Sequence, residues 1–389
     1  MRITYICYED LTEGRGGVGH VVEVIRALTR QGHTIRLIVP AGRGEAMPDL
    51  SGVEIVTLRV GRIRILNWIL FYKLSALYLL LTRRPDVVYI REMVYNIFLP
   101  KAMFLLRRPL FVEVNALVQD EEALVGAGAM TQRLIRWSQA VTFRCSHTIV
   151  AVTRGIADQL IRMYRIPEHR AHVVPNGTDP ELFKPGDMTD ARKAIEVDAD
   201  RPVVGFVGAC YPYHDVLTLI AAAPEILEKQ PETLFLIVGD GYMRTRWIEE
   251  TADKGLSDAF RFTGQVPYKQ VPDYMNAFTV CTAPFTRTRN EKIGLSPMKL
   301  YDYLACGRPV VGSEIAGVGD FLEQSGGGLS VIPEDPTAFA DAVVHMLDHP
   351  EEREQMGYNG REYVLTHNTW TQTAAKIAVL CEKAMGETG

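Results

Sequence analysis

The apolar positions in the first half of the chain alternate between two periods. Short Val- and Ile-rich runs bounded by turn residues predict strands, and apolar positions spaced three and four apart predict helices. The strands are expected at Ile3–Tyr8, Thr34–Val39, Val53–Arg59, Val87–Ile90, Leu110–Val114 and Thr148–Val152, and the helices at Val18–Arg30, Asn67–Leu81, Thr131–Phe143 and Arg154–Tyr164. Strands that alternate with helices indicate a parallel, doubly wound α/β sheet.

The same alternation begins again after Pro175–Asp187, a segment rich in Pro, Gly and Asp that carries no periodicity. It predicts strands at Val203–Val207, Leu234–Val238, Phe260–Phe262, Val280–Thr282 and Val310–Gly312, and helices at Val216–Glu228, Arg244–Ala252, Val271–Asn276, Pro297–Ala305, Pro336–Leu347 and Thr371–Ala384. We expect two domains, 1–179 and 180–356, and a helical segment, 357–389, that crosses back to the first. Ligands of doubly wound sheets bind beyond the carboxyl ends of the strands, so two facing domains would form a cleft.

Composition narrows the class of protein. The 389 residues are 47% apolar and 23% charged with a net charge of −5, a soluble globular profile without the basic excess of a general nucleic-acid binder. The six cysteines are scattered, mostly in apolar runs, which predicts core thiols in a reducing compartment. The N-terminal MRITYICYED lacks the apolar run of a signal peptide, so we expect a cytoplasmic protein.

One apolar stretch, Ile63–Leu81, bears on localisation. Arg64, Asn67 and Lys73 interrupt it, and a spanning helix tolerates a central charge poorly. Two interpretations remain: a helix packed on the sheet, or an interfacial helix that holds the protein at the anionic inner face of the plasma membrane. The cations that favour the second interpretation are Arg62, Arg64, Lys73, Arg83 and Arg84, with Arg107 and Arg108 further along the same domain.

A glycine-rich loop follows the first strand, and Gly14, Gly16 and Gly19 satisfy the dinucleotide-binding pattern GxGxxG. Residues 9–13 separate the strand from these glycines, and the second strand ends in IRLIVPAG without a carboxylate for a ribose hydroxyl. Both features disfavour a dinucleotide. The backbone N–H groups of Gly16 and Gly17 at a helix start instead suit a diphosphate or an acceptor group.

The passage GLSPMKLYDYLACGRPVVGS, Gly294–Ser313, carries the clearest candidate chemistry. Ser296 suits an N-cap and Pro297 the first helical position. Lys299 adds a charge to the first turn, and Asp302 lies three residues later on the same face. A cation for phosphate beside a carboxylate for ribose suits a nucleoside diphosphate; the alternative is a surface ion pair on a capped helix.

This passage resembles the donor-site helix of the retaining GT-B glycosyltransferases of family four, EGFGLPxxEAMACGKPVV, and its SPxKxxEY-type subgroup. Further segments agree in order and spacing: GGVGHVVEVIRALTRQGHTIRLIVP, VVPNGTDPELFKP, VGFVGA, LFLIVGDG and FTGQVPYKQVPDYMNAFTVCTAPF. The resemblance implies a GT-B fold, two Rossmann-like domains facing a cleft. It also implies a retaining, hexosyltransferase-type enzyme that moves a sugar from a nucleoside diphosphate sugar to a hydroxyl acceptor, glycan or lipid-linked, in cell-surface glycan or glycolipid synthesis. No metal or other cofactor is expected.

The chain departs from the family in the groups that hold the donor. The family uses two glutamates eight positions apart; here Asp302 and Gly294 align with them, and Glu291 is the candidate replacement for the first. The family's Arg and Lys after the first strand of the second domain are absent from VGACYPYHDV, where His214 lies near the lysine position. Lys299, His214 and Glu291 are therefore the expected catalytic residues.

The resemblance also assigns the remaining site residues. The donor or nucleotide would contact Gly16, Gly17, Gly208, Gly239, Asp240, Gly241, Tyr242, Val266, Gly294, Leu295, Ser296 and Asp302, with Tyr242 at the base and Val266 reading it by backbone. Arg91, Glu113 and Asn115 end strands on the acceptor or donor-sugar side, although Arg91 and Glu92 also suit a local ion pair. Two alternative functions remain on this fold: a non-catalytic nucleotide- or glycan-binding scaffold, and a nucleotide-sugar 2-epimerase.

Overall fold

The computed structural model describes residues 1–12, 16–42, 47–61, 64–82, 84–91, 94–118 and 128–388. The chain forms two units, Met1–Pro175 with Trp370–Gly389, and Asn176–Thr369. Each unit is built on one parallel sheet with helices in the connections, as the alternating pattern predicts. The cysteines are free thiols, and all except Cys145 are buried.

The sheet of the first unit has the order β3-β2-β1-β4-β5-β6-β7. Its strands are β1 (Arg2–Ile6), β2 (Thr34–Pro40), β3 (Glu54–Leu58), β4 (Val87–Arg91), β5 (Leu110–Val114), β6 (Thr148–Ala151) and β7 (Ala171–Val173). The helices are α1 (Gly16–Arg30), α2 (Arg64–Leu81), α3 (Phe98–Leu106), α4 (Ala129–Cys145) and α5 (Arg154–Tyr164). The central strands are buried on both faces, which explains their nearly continuous apolar sequences.

The sheet of the second unit has the order β10-β9-β8-β11-β12-β13. Its strands are β8 (Val203–Val207), β9 (Leu234–Val238), β10 (Phe260–Gly264), β11 (Val280–Ala283), β12 (Val310–Ser313) and β13 (Gly328–Val331). The helices are α6 (Met188–Ala194), α7 (Val216–Lys229), α8 (Arg244–Asp253), α9 (Val271–Ala277), α10 (Arg287–Ile293), α11 (Met298–Ala305), α12 (Gly319–Ser325), α13 (Pro336–Asp348) and α14 (Pro350–His367). Two clusters of buried apolar side chains form its core.

The units divide at 175/176 and 369/370, whereas the sequence predicted 179/180 and 356/357. The last helix, α15 (Trp370–Thr388), packs against α1 in the first unit and buries Ile377 and Cys381. Helix α14 stays in the second unit because its glycines approach other backbone closely. A Cβ added to Gly357 would lie 2.2 Å from the Gly307 carbonyl oxygen.

Candidate functional site

The connections of the second sheet diverge between β8 and β11, since β8 leads outward to β9 and β11 leads the other way to β12. Ligands of open α/β sheets bind at the carboxyl ends of the strands beside such a switch point. The segments that follow the two strands meet there. His214 forms a β-bridge with Phe285, and the Asp215 N–H donates to the Pro284 carbonyl at 3.1 Å.

Lys299 and His214 meet at this switch point. The Lys299 Nζ lies 3.2 Å from His214 Nε2 and 3.8 Å from the centre of the Phe206 ring. His214 Nδ1 lies 2.6 Å from the carbonyl oxygen of Ala209, which can only accept. The Nδ1–H therefore donates to Ala209, and the Nε2 lone pair accepts from the lysine. Two residues that the sequence predicts as functional are thus in direct contact.

The surroundings of this pair disfavour positive charge. Burial lowers the pKa of Lys299 well below its usual value. Burial, and then the charges of Lys299 and Arg289, lower the pKa of His214 well below its usual value. Among the described residues, no carboxylate lies within ion-pair distance of Lys299, whose ammonium instead faces aromatic rings. A buried cation of this kind has a free-energy cost that an anionic ligand would offset.

Arg289 is a second cation at this point, and it is not among the site residues predicted from the sequence. Its guanidinium carbon lies 4.8 Å from the centre of the Tyr213 ring, which is in edge contact with His214. The neighbouring Asn290 holds α10 in place by donating from Nδ2 to the Tyr213 carbonyl at 3.2 Å. The sequence around Arg289 shows a charged run, RTRNEK, and no apolar period that would predict a helix. A helix of seven residues is too short to show such a period.

Glycines at the carboxyl ends of β8 and β9 bring the backbones of the two strand ends into contact. Gly208 donates its N–H to the Val238 carbonyl, and Gly239 donates to the carbonyl of Gly264, the last residue of β10. Gly239 has φ of +137°, and a Cβ there would lie 2.0 Å from the Gly208 carbonyl oxygen, so no other residue fits. The predicted residues Gly208 and Gly239 therefore form a side-chain-free edge beside Lys299.

The turn after β9 is more exposed to solvent than these two glycines. Asp240 accepts from the Gly241 N–H at 2.7 Å, and Tyr242 is 78% exposed. Val266 is partly buried and packs its side chain against the core. These predicted residues lie on the connections that leave the carboxyl ends of β9 and β10.

The predicted cap of the lysine-bearing helix is wrong by one residue. Helix α11 begins at Met298, and Pro297, with extended dihedrals, occupies the N-cap position without a side-chain cap. Ser296 instead accepts the Asn176 N–H at 2.9 Å and lies 3.0 Å from the Tyr301 hydroxyl. Leu295 donates its N–H to the Ala316 carbonyl at 2.8 Å. The segment before α11 is thus held by the loops that carry Asn176 and Ala316, and by Tyr301 of the helix itself.

Asp302 and Lys299 were expected to point at one ligand, but they contact different groups. The Asp302 carboxylate accepts the Thr178 hydroxyl at 2.6 Å and is buried. Gly294, which aligns with the family's first glutamate, has φ of +64° and ends α10. A glutamate would be strained there. Glu291, its expected replacement, is exposed on α10.

In the first unit the corresponding switch point lies between β1 and β4. Arg91, at the end of β4, donates from Nη1 to the Gly17 carbonyl at 2.7 Å and lies 3.5 Å from a Glu9 carboxylate oxygen. A Cβ on Gly17 would lie 3.1 Å from both side chains, so the glycine makes room for this ion pair. Helix α1 begins at Gly16. The predicted partners Gly14 and Glu92 lie outside the described residues.

Glu113 is buried at the end of β5, where four side chains surround it. The Tyr89 hydroxyl donates to it at 2.9 Å, Asn115 Nδ2 at 2.6 Å and Tyr5 at 3.4 Å, and His20 Nε2 lies 2.6 Å away. Burial opposes its ionisation, but His20, Arg91 and Asn115 more than compensate and lower its pKa to about 2. With 2% of its surface exposed, Glu113 holds its neighbours in place. Asn115, only partly buried, is the more accessible of the two predicted residues.

Both units match family models of glycosyltransferases. Residues 14–182 match the family described as Glycosyltransferase Family 4, and residues 201–349 match Glycosyl transferases group 1. Sucrose-phosphate synthase from Thermosynechococcus elongatus superposes with a TM-score of 0.81 at 20% identity, over 99% of each chain. The Anabaena HepE complex with UDP-glucose gives 0.78 at 16% identity, over 98% of this chain and 100% of that one. The fold is therefore GT-B, and each unit carries a match to a glycosyltransferase family model.

Curated relatives carry related names. D-inositol 3-phosphate glycosyltransferase 2 of Catenulispora acidiphila is 28% identical over 69% of this chain. D-inositol 3-phosphate glycosyltransferase of Kribbella flavida is 31% identical over 58% of it. The matched region spans 64% and 53% of these two relatives' own lengths.

Proposed function

We propose that this chain is a glycosyltransferase that moves a sugar from a nucleoside diphosphate sugar to a hydroxyl acceptor with retention of the anomeric configuration. The observation that carries the proposal is the contact between Lys299 and His214 at the β8/β11 switch point. Among the described residues, no carboxylate lies within ion-pair distance of this buried lysine. Solved relatives with this fold hold UDP and UDP-glucose, which supports a nucleotide sugar as the donor. The retention of configuration rests on the family resemblance.

In this proposal the second unit stabilises the departing diphosphate. Negative charge builds on that group as the anomeric C–O bond breaks, and fixed positive groups aimed at it lower the barrier. Lys299 supplies one full charge, Arg289 a second, and the first turn of α11 the positive end of a helix dipole. His214 positions the ammonium, since its lone pair faces Nζ.

The other groups have supporting roles in this proposal. The glycine edge of Gly208 and Gly239 lets a ligand approach the backbone closely, and Tyr242 borders the base. Asp302 contacts ribose while the Thr178 hydroxyl fixes its carboxylate. In the first unit the N-terminus of α1, held by Arg91, faces an anionic or hydroxyl group of the substrates. The departing phosphate accepts the proton of the acceptor hydroxyl, and no divalent ion takes part, so EDTA is expected to leave turnover unchanged.

The test is turnover of a panel of UDP-, GDP- and ADP-sugars with hydroxyl acceptors. Release of the nucleoside diphosphate measures transfer, and proton NMR of the product gives its anomeric configuration. Transfer with retention is expected for one donor. Binding without turnover would instead identify a scaffold, and conversion of the donor into an epimer without acceptor would identify a 2-epimerase.

A further inference from the structure

One face of the first unit exposes leucines where a globular protein would expose polar residues. Along α2, the outward positions Leu66, Leu70, Lys73, Leu77 and Leu80 follow one another at spacings of four and three, which places them on one stripe. Their regular exposure shows that the stripe points away from the sheet. The opposite side of the helix, with Phe71, Tyr72 and Leu79, is buried.

The exposed apolar surface continues onto the two following helices. The α3 residues Phe104 and Leu105 are more than 70% exposed. On α4, Met130, Leu134 and Trp137 follow one another at spacings of four and three, and Trp137 is 57% exposed. Helix α3 packs against both α2 and α4. Right-handed crossovers place all three on the same face of the sheet, because each connects to a strand further along in one direction. We call the exposed side of these three helices the apolar face.

The charges on this face are of one sign. Helices α2, α3 and α4 contain no Asp or Glu, although the chain has 47 acidic residues. Exposed cations stand among the apolar residues: Lys73, Lys101, Arg133, Arg136 and Arg144. Asp120, Glu121 and Glu122 precede α4 in sequence and lie outside the described residues, as do Arg62 and Arg83.

At one end of the apolar face, beside Phe104, opens a cavity of about 520 Å³. Arg107, Arg108, Arg144 and Lys383 line it, and Glu387 is the one carboxylate among its described lining residues. It lies where β5 and β6 begin, at the opposite edge of the sheet from Arg91 and Gly17. This cavity therefore suits a phosphate group separate from the site described above.

We propose that the apolar face docks on an anionic phospholipid bilayer, with its leucines and Trp137 in the interface and its cations against lipid phosphates. Exposed apolar side chains interspersed with cations and no acids are the pattern of an interfacial surface. None of the described helices is long and apolar enough to cross a membrane, so the contact is peripheral. The proposal is independent of which nucleotide sugar the second unit binds.

Co-sedimentation with vesicles tests this docking. Wild-type protein should pellet with vesicles of phosphatidylcholine and phosphatidylglycerol, not with phosphatidylcholine alone, and high salt should release it. The variant R133E/R136E/W137S should bind the anionic vesicles at least about tenfold more weakly, since each cation near such a surface contributes about 1 kcal/mol. Trp137 fluorescence should shift to the blue when anionic vesicles are added.

A matched control lies elsewhere on the same unit. Lys376 and Val379 are an exposed cation and an exposed apolar residue on α15, a helix that packs on α1. The variant K376E/V379S should bind anionic vesicles like the wild type. Failure of the wild type to bind anionic vesicles, or equal loss in both variants, would overturn the proposal. So would a wild-type dimer, seen by light scattering, that only the α4 variant dissociates, because a second copy would then cover the apolar face.

Discussion

The surroundings of Lys299 favour the neutral amine over the charged ammonium. Burial lowers its pKa, and the nearest groups are aromatic rings and a histidine that also titrates below its usual range. Glu113 shows the opposite arrangement, since hydrogen-bond donors and cations keep it ionised in spite of burial. The charged form of Lys299 is thus left for a ligand to stabilise, whereas the Glu113 carboxylate is already stabilised within the fold. This difference distinguishes a binding role for Lys299 from a structural role for Glu113.

The lowered pKa of Lys299 predicts proton uptake on nucleotide binding. A bound diphosphate favours the ammonium and raises the pKa, so between the two values binding takes up a proton. The affinity for the nucleoside diphosphate should therefore fall as pH rises through the lower value. Calorimetric titration in buffers of different ionisation enthalpy measures the uptake. Equal uptake by the Lys299→Met variant would assign the proton to another group.

The pKa of Glu113 predicts how the first unit responds to acid. The folded pKa, about 2, lies below the usual 4.5, so the ionised carboxylate stabilises the fold above pH 4.5 and loses this contribution as pH falls towards 2. The shift corresponds to about 3 kcal/mol. Glu113→Gln should remove most of this pH dependence from the hydrogen exchange of β4 and β5. Glu54→Gln, at an exposed ion pair of the same unit, should leave it unchanged.

At the scale of elements, apolar runs and apolar periodicity predicted the elements that carry such a pattern and failed where the pattern is absent. The strands β5, β8 and β9 were predicted to the residue. Helix α14, PEEREQMGYNGREYVLTH, is polar on most positions and packs through glycines, so it carries no apolar stripe. Helix α3 is apolar all round and shows no contrast between faces.

Helix α10 presents two arginines to different partners, which allows a controlled test. Arg289 lies beside Tyr213 and His214, whereas Arg287 donates to the Pro333 carbonyl at 3.3 Å. A charged hydrogen bond contributes about 1.5–3 kcal/mol, so Arg289→Ala should weaken nucleoside diphosphate binding about tenfold or more. Arg287→Ala should change it by less than about twofold. Equal effects of the two substitutions would exclude a specific role for Arg289.

At the scale of the whole molecule, both units place polar groups at the switch point of a parallel sheet. The repeated strand and helix pattern was enough to predict two such sheets and the strands that end at each site. It was not enough to predict which side chains meet. Lys299 and His214 are 85 positions apart and meet because the segments that follow two different strands, β11 and β8, converge. Asp302, by contrast, shares a helix with Lys299 yet contacts Thr178, because its direction depends on the surrounding segments.

The central claim is that Lys299 binds a nucleoside diphosphate, and thermal unfolding of the wild type and Lys299→Met with UDP, GDP and ADP tests it most directly. A ligand at a hundredfold its Kd stabilises the fold by about 2.7 kcal/mol. Because burial lowers the lysine pKa below its usual 10.5, Lys299 destabilises the unliganded fold at every pH below 10.5, so the unliganded variant should melt no lower than the wild type. One diphosphate should raise the melting temperature of the wild type and have little effect on the variant. Equal stabilisation of both proteins, or no response of the wild type to any of the three, would contradict the account.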